Sequence, residues 1–368
     1  MDADEYEARG LYDPNAPNAA DRLELLNWLT ELGIDIEQIV DAHEREHLTG
    51  LAGDVALRPG RRFTLAEVAE GSGLTADQVR RLTLTIGRPV TDSDDRAFSA
   101  ADLEAFQMFG AAAGFFGEKA TLQFTRVLGS SLGRIADAAV SLFLADVETP
   151  MAEANASELA LAKANYEAVG ALNTLRPVME TAFRGLMEEA IQRNRAARIE
   201  SSSKVTVFVA VGFMDLVGFT PLAQSLPVAE LTTLIDEFEG TAYDVVASHG
   251  GRVVKLIGDE VMFVAIDAAS ASEISLALVE QFGRDASVTP RGGLAVGEML
   301  TRGGDYYGPV VNIASRIADL AVPNEILVTD ELRERAEKSL VPLAFDPAGR
   351  RLLKGFEEPL ELFTLRRS

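Results

Sequence analysis

Cysteine is absent from the 368 residues, which excludes disulfides, thiolate zinc sites and cysteine nucleophiles together. Positive charge is scarce as well: 34 Lys and Arg stand against 57 Asp and Glu, a formal net charge of −23. That balance argues against a nucleic-acid-binding surface of any size, because such affinity comes mainly from neutralised phosphates. No uninterrupted apolar stretch reaches the roughly 18 residues that cross a bilayer, and the acidic start MDADEYEARG is not a secretion signal. These absences predict a cytoplasmic protein without stable membrane insertion. What is present, 47% apolar and 25% charged residues, is the composition of a soluble globular chain long enough for two domains.

The first half reads as helical. Residues 1–20, acidic and then rich in Pro, Asn and Ala, are expected to form a mobile arm. Arg22 to Leu32 is an amphipathic helix stopped by Gly33, and its Trp28, the only tryptophan, reads as a core or rim anchor. His43-Glu44-Arg45-Glu46-His47 fits the H-E-x-x-H pattern of zinc peptidases, with both histidines expected on one helical face. It lies in a polar segment without an evident third ligand, so a solvated helix turn is the favoured reading and a proton-sensitive pair the alternative. Phe63 to Leu82 resembles a helix-turn-helix with Thr75 as cap and Arg80 and Arg81 on the second helix, and is read as a packing unit in preference to a DNA reader. Asp94 to Leu144 carries seven phenylalanines, which points to core or subunit contact, with a pocket for a small apolar effector as the lesser reading. Thr149-Pro150 is expected to break the chain, and a helical linker, interrupted or bent near Gly170 and Pro177, should follow to Ser203. The expected organisation is thus a 1–20 arm, a 21–150 helical domain, a 151–203 linker and a 204–368 catalytic domain.

In the second half the apolar run Val205 to Val211 reads as an interior strand leading to Asp215, followed by a turn through Gly218 into a helix. Gly250 to Ala265 reads as a hairpin whose turn carries Gly258-Asp259-Glu260. If these strands are neighbours, Asp215 and Asp259 meet, and Phe213 to Thr220 adds backbone N–H groups at a helix start. That describes a Mg²⁺ site beside a phosphate cradle, with two solvated turn residues as the bland alternative. A third stretch, Gly303 to Ile317, opens a helix after Gly308-Pro309 on which Asn312 and Arg316 share a face that invites a phosphate or ribose. The order strand 205–211, helix 221–247, hairpin 252–257 and 260–264, helix 271–284 and strand 292–299 is a β-α-β-β-α-β pattern, with a strand at 361–365 closing the chain.

The segments FMDLVGFT, VKLIGDEVMF and DYYGPVVNIASR resemble the three signature segments of the class III nucleotidyl cyclase catalytic domain, specifically that of soluble bacterial adenylyl cyclases. The resemblance implies an α+β fold: a ferredoxin-like catalytic domain preceded by an all-helical regulatory domain. Carried over residue by residue, it makes Asp215 and Asp259 the ligands of two Mg²⁺ or Mn²⁺ ions and Lys255 and Asp305 the pair that reads adenine. Asn312 then positions the ribose, Arg316 stabilises the transition state, and Phe219 and Thr220 join the substrate-binding set. Glu298 departs from the pattern, since many members carry an arginine there. The implied reaction is conversion of ATP to 3′,5′-cyclic AMP at sites shared by a head-to-tail homodimer. The alternative is a degenerate module that binds nucleotide without turnover. The helical half is similar, diffusely, to the regulatory domain of certain mycobacterial adenylyl cyclases, some of which respond to pH.

Overall fold

The computed structural model describes residues 2–90, 95–203, 206–283 and 288–368, so Asp94, Lys204, Val205 and the end of the helix expected to 284 fall outside the described residues. The chain divides into two compact units, Met1–Arg184 and Gly185–Ser368.

The first unit is helical: α1 (Ala3–Ala8), α2 (Ala19–Glu31), α3 (Ile36–Glu44), α4 (Leu51–Leu57), α5 (Leu65–Ser72), α6 (Ala76–Thr85), α7 (Ala100–Phe116), α8 (Glu118–Phe143), α9 (Thr149–Glu153) and α10 (Glu158–Ala197), which runs on into the second unit. The expected mobile arm is corrected here. Asp2 caps α1, and Tyr6 is fully buried among Leu25, Leu26 and Leu29 with its hydroxyl against Leu26 O and Thr30 Oγ1. An aromatic ring with both its faces and its hydroxyl satisfied outweighs the acidic composition around it. Trp28 is the expected rim anchor, edge-on to Tyr166 at 5.8 Å between ring centres.

The histidine pair is also corrected. Helix α3 ends at Glu44 and Glu46 takes a positive φ of 58°, so His47 lies beyond the helix and the two rings share no helical face. His43 instead meets Arg22, whose guanidinium forks onto Glu158. Helices α5 and α6 do form a helix-turn-helix, with Thr64 and Thr75 as caps and Gly73 in the left-handed turn. The arginines here are paired with carboxylates: Arg61, ahead of α5, with Glu67, and Arg80 and Arg81 of α6 with Asp77 and Glu118. That leaves little basic surface for phosphates, in keeping with a packing unit.

Of the phenylalanines in the third helical block only Phe98 and Phe106 are buried, while Phe115 and Phe116 are 83% and 68% exposed. Thr149-Pro150 does not break the chain. A π-helical turn, Leu144–Glu148, absorbs the missing proline N–H and the helix continues into α9, the break coming at Asn155 with its positive φ. Glu118–Glu153 is long and apolar enough, by length and composition, to cross a membrane, a run missed by a search for uninterrupted apolar residues because Arg126, Arg134 and Asp137 punctuate it. Helix α10 is continuous through Gly170 and Pro177, so the chain is not interrupted there.

The second unit is built on one sheet. Its strands are β1 (Thr206–Val217), β2 (Arg252–Ile257), β3 (Glu260–Ala265), β4 (Thr289–Arg302), β5 (Asp305–Tyr307), β6 (Ile326–Thr329), β7 (Leu343–Arg351) and β8 (Leu360–Arg367). The order is β2-β3-β1-β4-β6-β8-β7, with β5 folded back on β4. The first four strands, antiparallel to one another, are the ferredoxin-like core expected from the sequence, and β6 joins β4 in parallel. Between them lie α11 (Phe219–Ser225), α12 (Val228–Ser248) and α13 (Ala268–Phe282), and after them α14 (Pro309–Leu320) and α15 (Asp330–Ala336).

Alternation along β1 sorts the two faces. Ala210, Met214 and Leu216 join the core under α12, α13 and α15, while Val207, Val209, Val211 and Phe213 pack with Ala314 and Ala318 of α14. Asp215, next in the second series, therefore stands on the α14 side of the sheet. Gly293 makes that packing close, since a Cβ there would lie 2.3 Å from Ala318 N.

Candidate active site

Asp215 was expected to end its strand, but β1 runs on to Val217. The ladder continues because Asp215 is opposite Glu260 on one side and Arg291 on the other. A carboxylate inside a central strand needs compensation, and Arg291 supplies it: Nε and Nη2 both donate to Asp215 Oδ2, at 2.9 and 2.7 Å. The same guanidinium donates through Nη1 to the carbonyls of Asp319 and Ala321, at the end of α14.

Asp259 sits in the β2–β3 turn, shaped by Gly258 at φ 65°. Burial raises its pKa above the ordinary carboxylate value and the charge of Asp215 raises it further, against the opposing pull of a backbone hydrogen bond and of Arg291. Glu260 is pushed up to about 7, first by burial and then by the charges of Asp215, Asp319 and Asp259. The structure thus brings the two predicted aspartates together with a third carboxylate and one arginine.

Lys255 and Asp305, 50 positions apart, also meet: Lys255 Nζ donates to Asp305 Oδ2 at 2.7 Å, and Asp305 Oδ1 takes the backbone N–H of Tyr306. Asn312 and Arg316 are exposed one turn apart on α14, and Arg316 has a 3.7 Å ion pair with Asp319. Phe219 and Thr220 open α11 directly after the left-handed Gly218, Phe219 half-buried against the core and Thr220 exposed. Among the described residues, no hydrogen bond or ion pair directly joins the aspartate pair to Lys255, Asp305, Asn312 or Arg316.

The donor set fits a divalent cation. Two hard carboxylates, Asp215 on β1 and Asp259 in the turn before the neighbouring β3, with the charge of Asp259 made costly by burial and by Asp215, are what Mg²⁺ or Mn²⁺ relieves. No group of three or more His, Cys, Asp or Glu suited to a metal occurs among the described residues, so a cation held here would complete its shell with substrate or water oxygens.

Two residues carry more than the sequence conveyed. Arg291 stands just before the strand expected over 292–299 and was given no role. Its signal was an arginine heading an apolar strand, but its partner lies 76 positions away and is fixed by register. Glu298, read as an absent phosphate contact, instead accepts from Ser202 N, from Ser202 Oγ at 2.7 Å, from Thr206 Oγ1 at 3.0 Å and from Ser201 Oγ at 3.1 Å. These bonds, those of Ser202 foremost, hold its pKa down at about 2 and tie the segment before β1 to β4.

Comparison with known proteins places this geometry. Residues 4–188 match the family of the adenylate cyclase regulatory domain, and residues 199–366 match the adenylate and guanylate cyclase catalytic domain. An uncharacterized protein of Mycobacterium tuberculosis strain H37Rv is 35% identical over 99% of this chain and 94% of its own length. An adenylate cyclase of Streptomyces coelicolor is 31% identical over 74% of this chain and 71% of its own length. A pH-sensitive adenylate cyclase of Mycobacterium tuberculosis is 31% identical over 95% of this chain and 88% of its own length.

Proposed function

This chain belongs to the class III adenylate cyclases that carry an adenylate cyclase regulatory domain, and we propose that it forms 3′,5′-cyclic AMP at sites shared between the two chains of a head-to-tail homodimer. The observation that carries the reading is that two functional pairs are each assembled within one chain, Asp215 with Asp259 and Lys255 with Asp305, yet have no direct bond to each other. A second copy would bring the complementary pair.

In this reading the ribose 3′-hydroxyl of ATP gives up its proton to solvent, its oxygen bonds to the α-phosphorus, the bond from that phosphorus to the bridging oxygen breaks, and pyrophosphate leaves. Two Mg²⁺ or Mn²⁺ ions per site, held by Asp215 and Asp259, would lower the pKa of the attacking hydroxyl and neutralise the triphosphate. Against a net charge of −23, that local neutralisation is what admits a polyphosphate at all. Lys255 would donate to, and Asp305 accept from, the adenine edge. Asn312 would hold the ribose at its angle, and Arg316, with only a 3.7 Å partner to leave, would move to the charge that builds on the α-phosphate. Phe219 and Thr220 would border the triphosphate. We read the chain as cytoplasmic, where ATP is supplied.

The first unit would regulate this chemistry. Support comes from the match to a regulatory domain family and from a relative named as pH-sensitive. A cavity of about 290 Å³ lined by Leu82, Phe106, Phe109, Phe124 and Leu128 is the place this reading gives to a small apolar effector. The direct test is to incubate the full chain with ATP and Mg²⁺ or Mn²⁺ and to resolve the products. Cyclic AMP and pyrophosphate in equal amounts are expected. Nucleotide binding without either product would overturn the reading in favour of a non-catalytic module.

A further inference from the structure

Arg291, on β4, hydrogen-bonds both to the strand that carries Asp215 and to the end of the helix bearing Asn312 and Arg316. Its Nε and Nη2 hold Asp215 Oδ2, and its Nη1 holds the carbonyls of Asp319 and Ala321 where α14 ends. Asp319 in turn carries the only ion-pair partner of Arg316 among the described residues. Three of the guanidinium's donors are thus committed, in two directions, from a side chain 25% exposed. A planar fork fixes direction as well as charge, which a lysine at the same place would not do.

We propose that Arg291 is a positioning residue: it holds Asp215 by Oδ2 in the orientation presented to the metal, and it sets the end of α14, so that the two half-sites of one chain are mechanically joined. Under the shared-site reading, on which this rests, Asp215 serves one site of the dimer and Asn312 and Arg316 serve the other. Arg291 then links the sites. It also competes with the metal for Asp215, because a cation bound there shares the carboxylate with a guanidinium already paired to it. The arrangement costs metal affinity and gains geometry.

These opposite signs make the test. In the full chain, Mn²⁺ binding without nucleotide is followed by the electron paramagnetic resonance of free Mn²⁺, alongside kcat and KM for ATP. Arg291→Met is expected to bind Mn²⁺ at least threefold more tightly while kcat falls tenfold or more with little change in KM. Arg291→Lys, which restores a charge without the fork, is expected to return Mn²⁺ affinity towards that of the native protein while kcat stays low. Thermal melting and sedimentation verify that each variant is folded and dimeric, and the lysine variant carries the test if the methionine variant is not. Unchanged or weaker Mn²⁺ binding in Arg291→Met, or a kcat within threefold of native, would overturn the proposal. A native chain that binds Mn²⁺ but makes no cyclic AMP would sink the functional reading and still leave the competition between Arg291 and metal measurable.

Discussion

Lys255 Nζ stands 2.7 Å from Asp305 Oδ2, so the two residues assigned to the adenine ring satisfy each other when no base is bound. Lys255 is 41% exposed, and an ion pair this open contributes little to stability. Its worth lies in recognition, because a base that cannot match both groups leaves a donor or an acceptor unpaired inside the site.

The first prediction is therefore a separation of stability from selectivity. Lys255→Glu with Asp305→Cys should lower kcat/KM for ATP by on the order of a hundredfold or more, while the melting temperature moves by only about a degree or two. Steady-state kinetics and thermal melting measure both. Unchanged ATP kinetics in the double variant would show that these side chains do not read the base.

Asp215→Ala and Asp259→Ala should each abolish cyclisation and leave the dimer intact. Asp259 lies on a turn, and Asp215, though within a strand, projects beyond the end of the packed series Val207, Val209, Val211 and Phe213. Cyclic AMP formation and sedimentation decide the matter, and near-normal turnover in either variant would remove that residue from the metal site.

Glu298 makes a pH-dependent prediction of definite sign. Its folded pKa of about 2 lies below the ordinary 4.5, so the folded state holds fewer protons than the unfolded chain between those values. The stabilisation it gives is present above pH 4.5 and is lost as pH falls towards 2. Glu298→Gln should melt below the native protein at pH 7, with the gap closing as melts are repeated through that acid window. Because the carboxylate stays ionised at neutral pH, this clasp on Ser201, Ser202 and Thr206 should not be what responds to pH in the neutral range. A gap that stays constant from pH 7 to pH 3 would refute the assignment.

How far the sequence could be read follows from the range of each interaction. Strands β1, β2 and β3 and helix α14 were legible because alternation, Gly258 and Gly308-Pro309 are local signals. Strand β7 was not, since Asp346-Pro347-Ala348-Gly349 looks like a loop; on a sheet edge, with a register shift between Pro347 and Gly349, proline is tolerated. The single helix expected over 221–247 is divided at Leu226-Pro227, where proline favours a helix start. Asp215, Asp259, Lys255 and Asp305 could be named from motifs, and the structure sets Asp259 beside Asp215 and Lys255 against Asp305. The grip of Arg291 on Asp215 depends on which strand lies beside β1 and in what register, and no local pattern encodes that. Glu298 misled for the same reason: its partners lie more than 90 positions earlier.

The central claim is that each site is completed by two chains, and one mixing experiment addresses it most directly. Asp215→Ala homodimers and Arg316→Ala homodimers each have two broken sites. A mixed dimer places both defects in one site and none in the other. With equal amounts and free exchange, about half the dimers are mixed, so cyclic AMP formation should recover to roughly a quarter of the native rate for closed two-fold assembly. Two different affinity tags, captured in sequence, establish that mixed dimers are present. Recovery near that level is the result expected, and no recovery despite verified mixed dimers would contradict the shared site and return Asp215 and Arg316 to the site of a single chain.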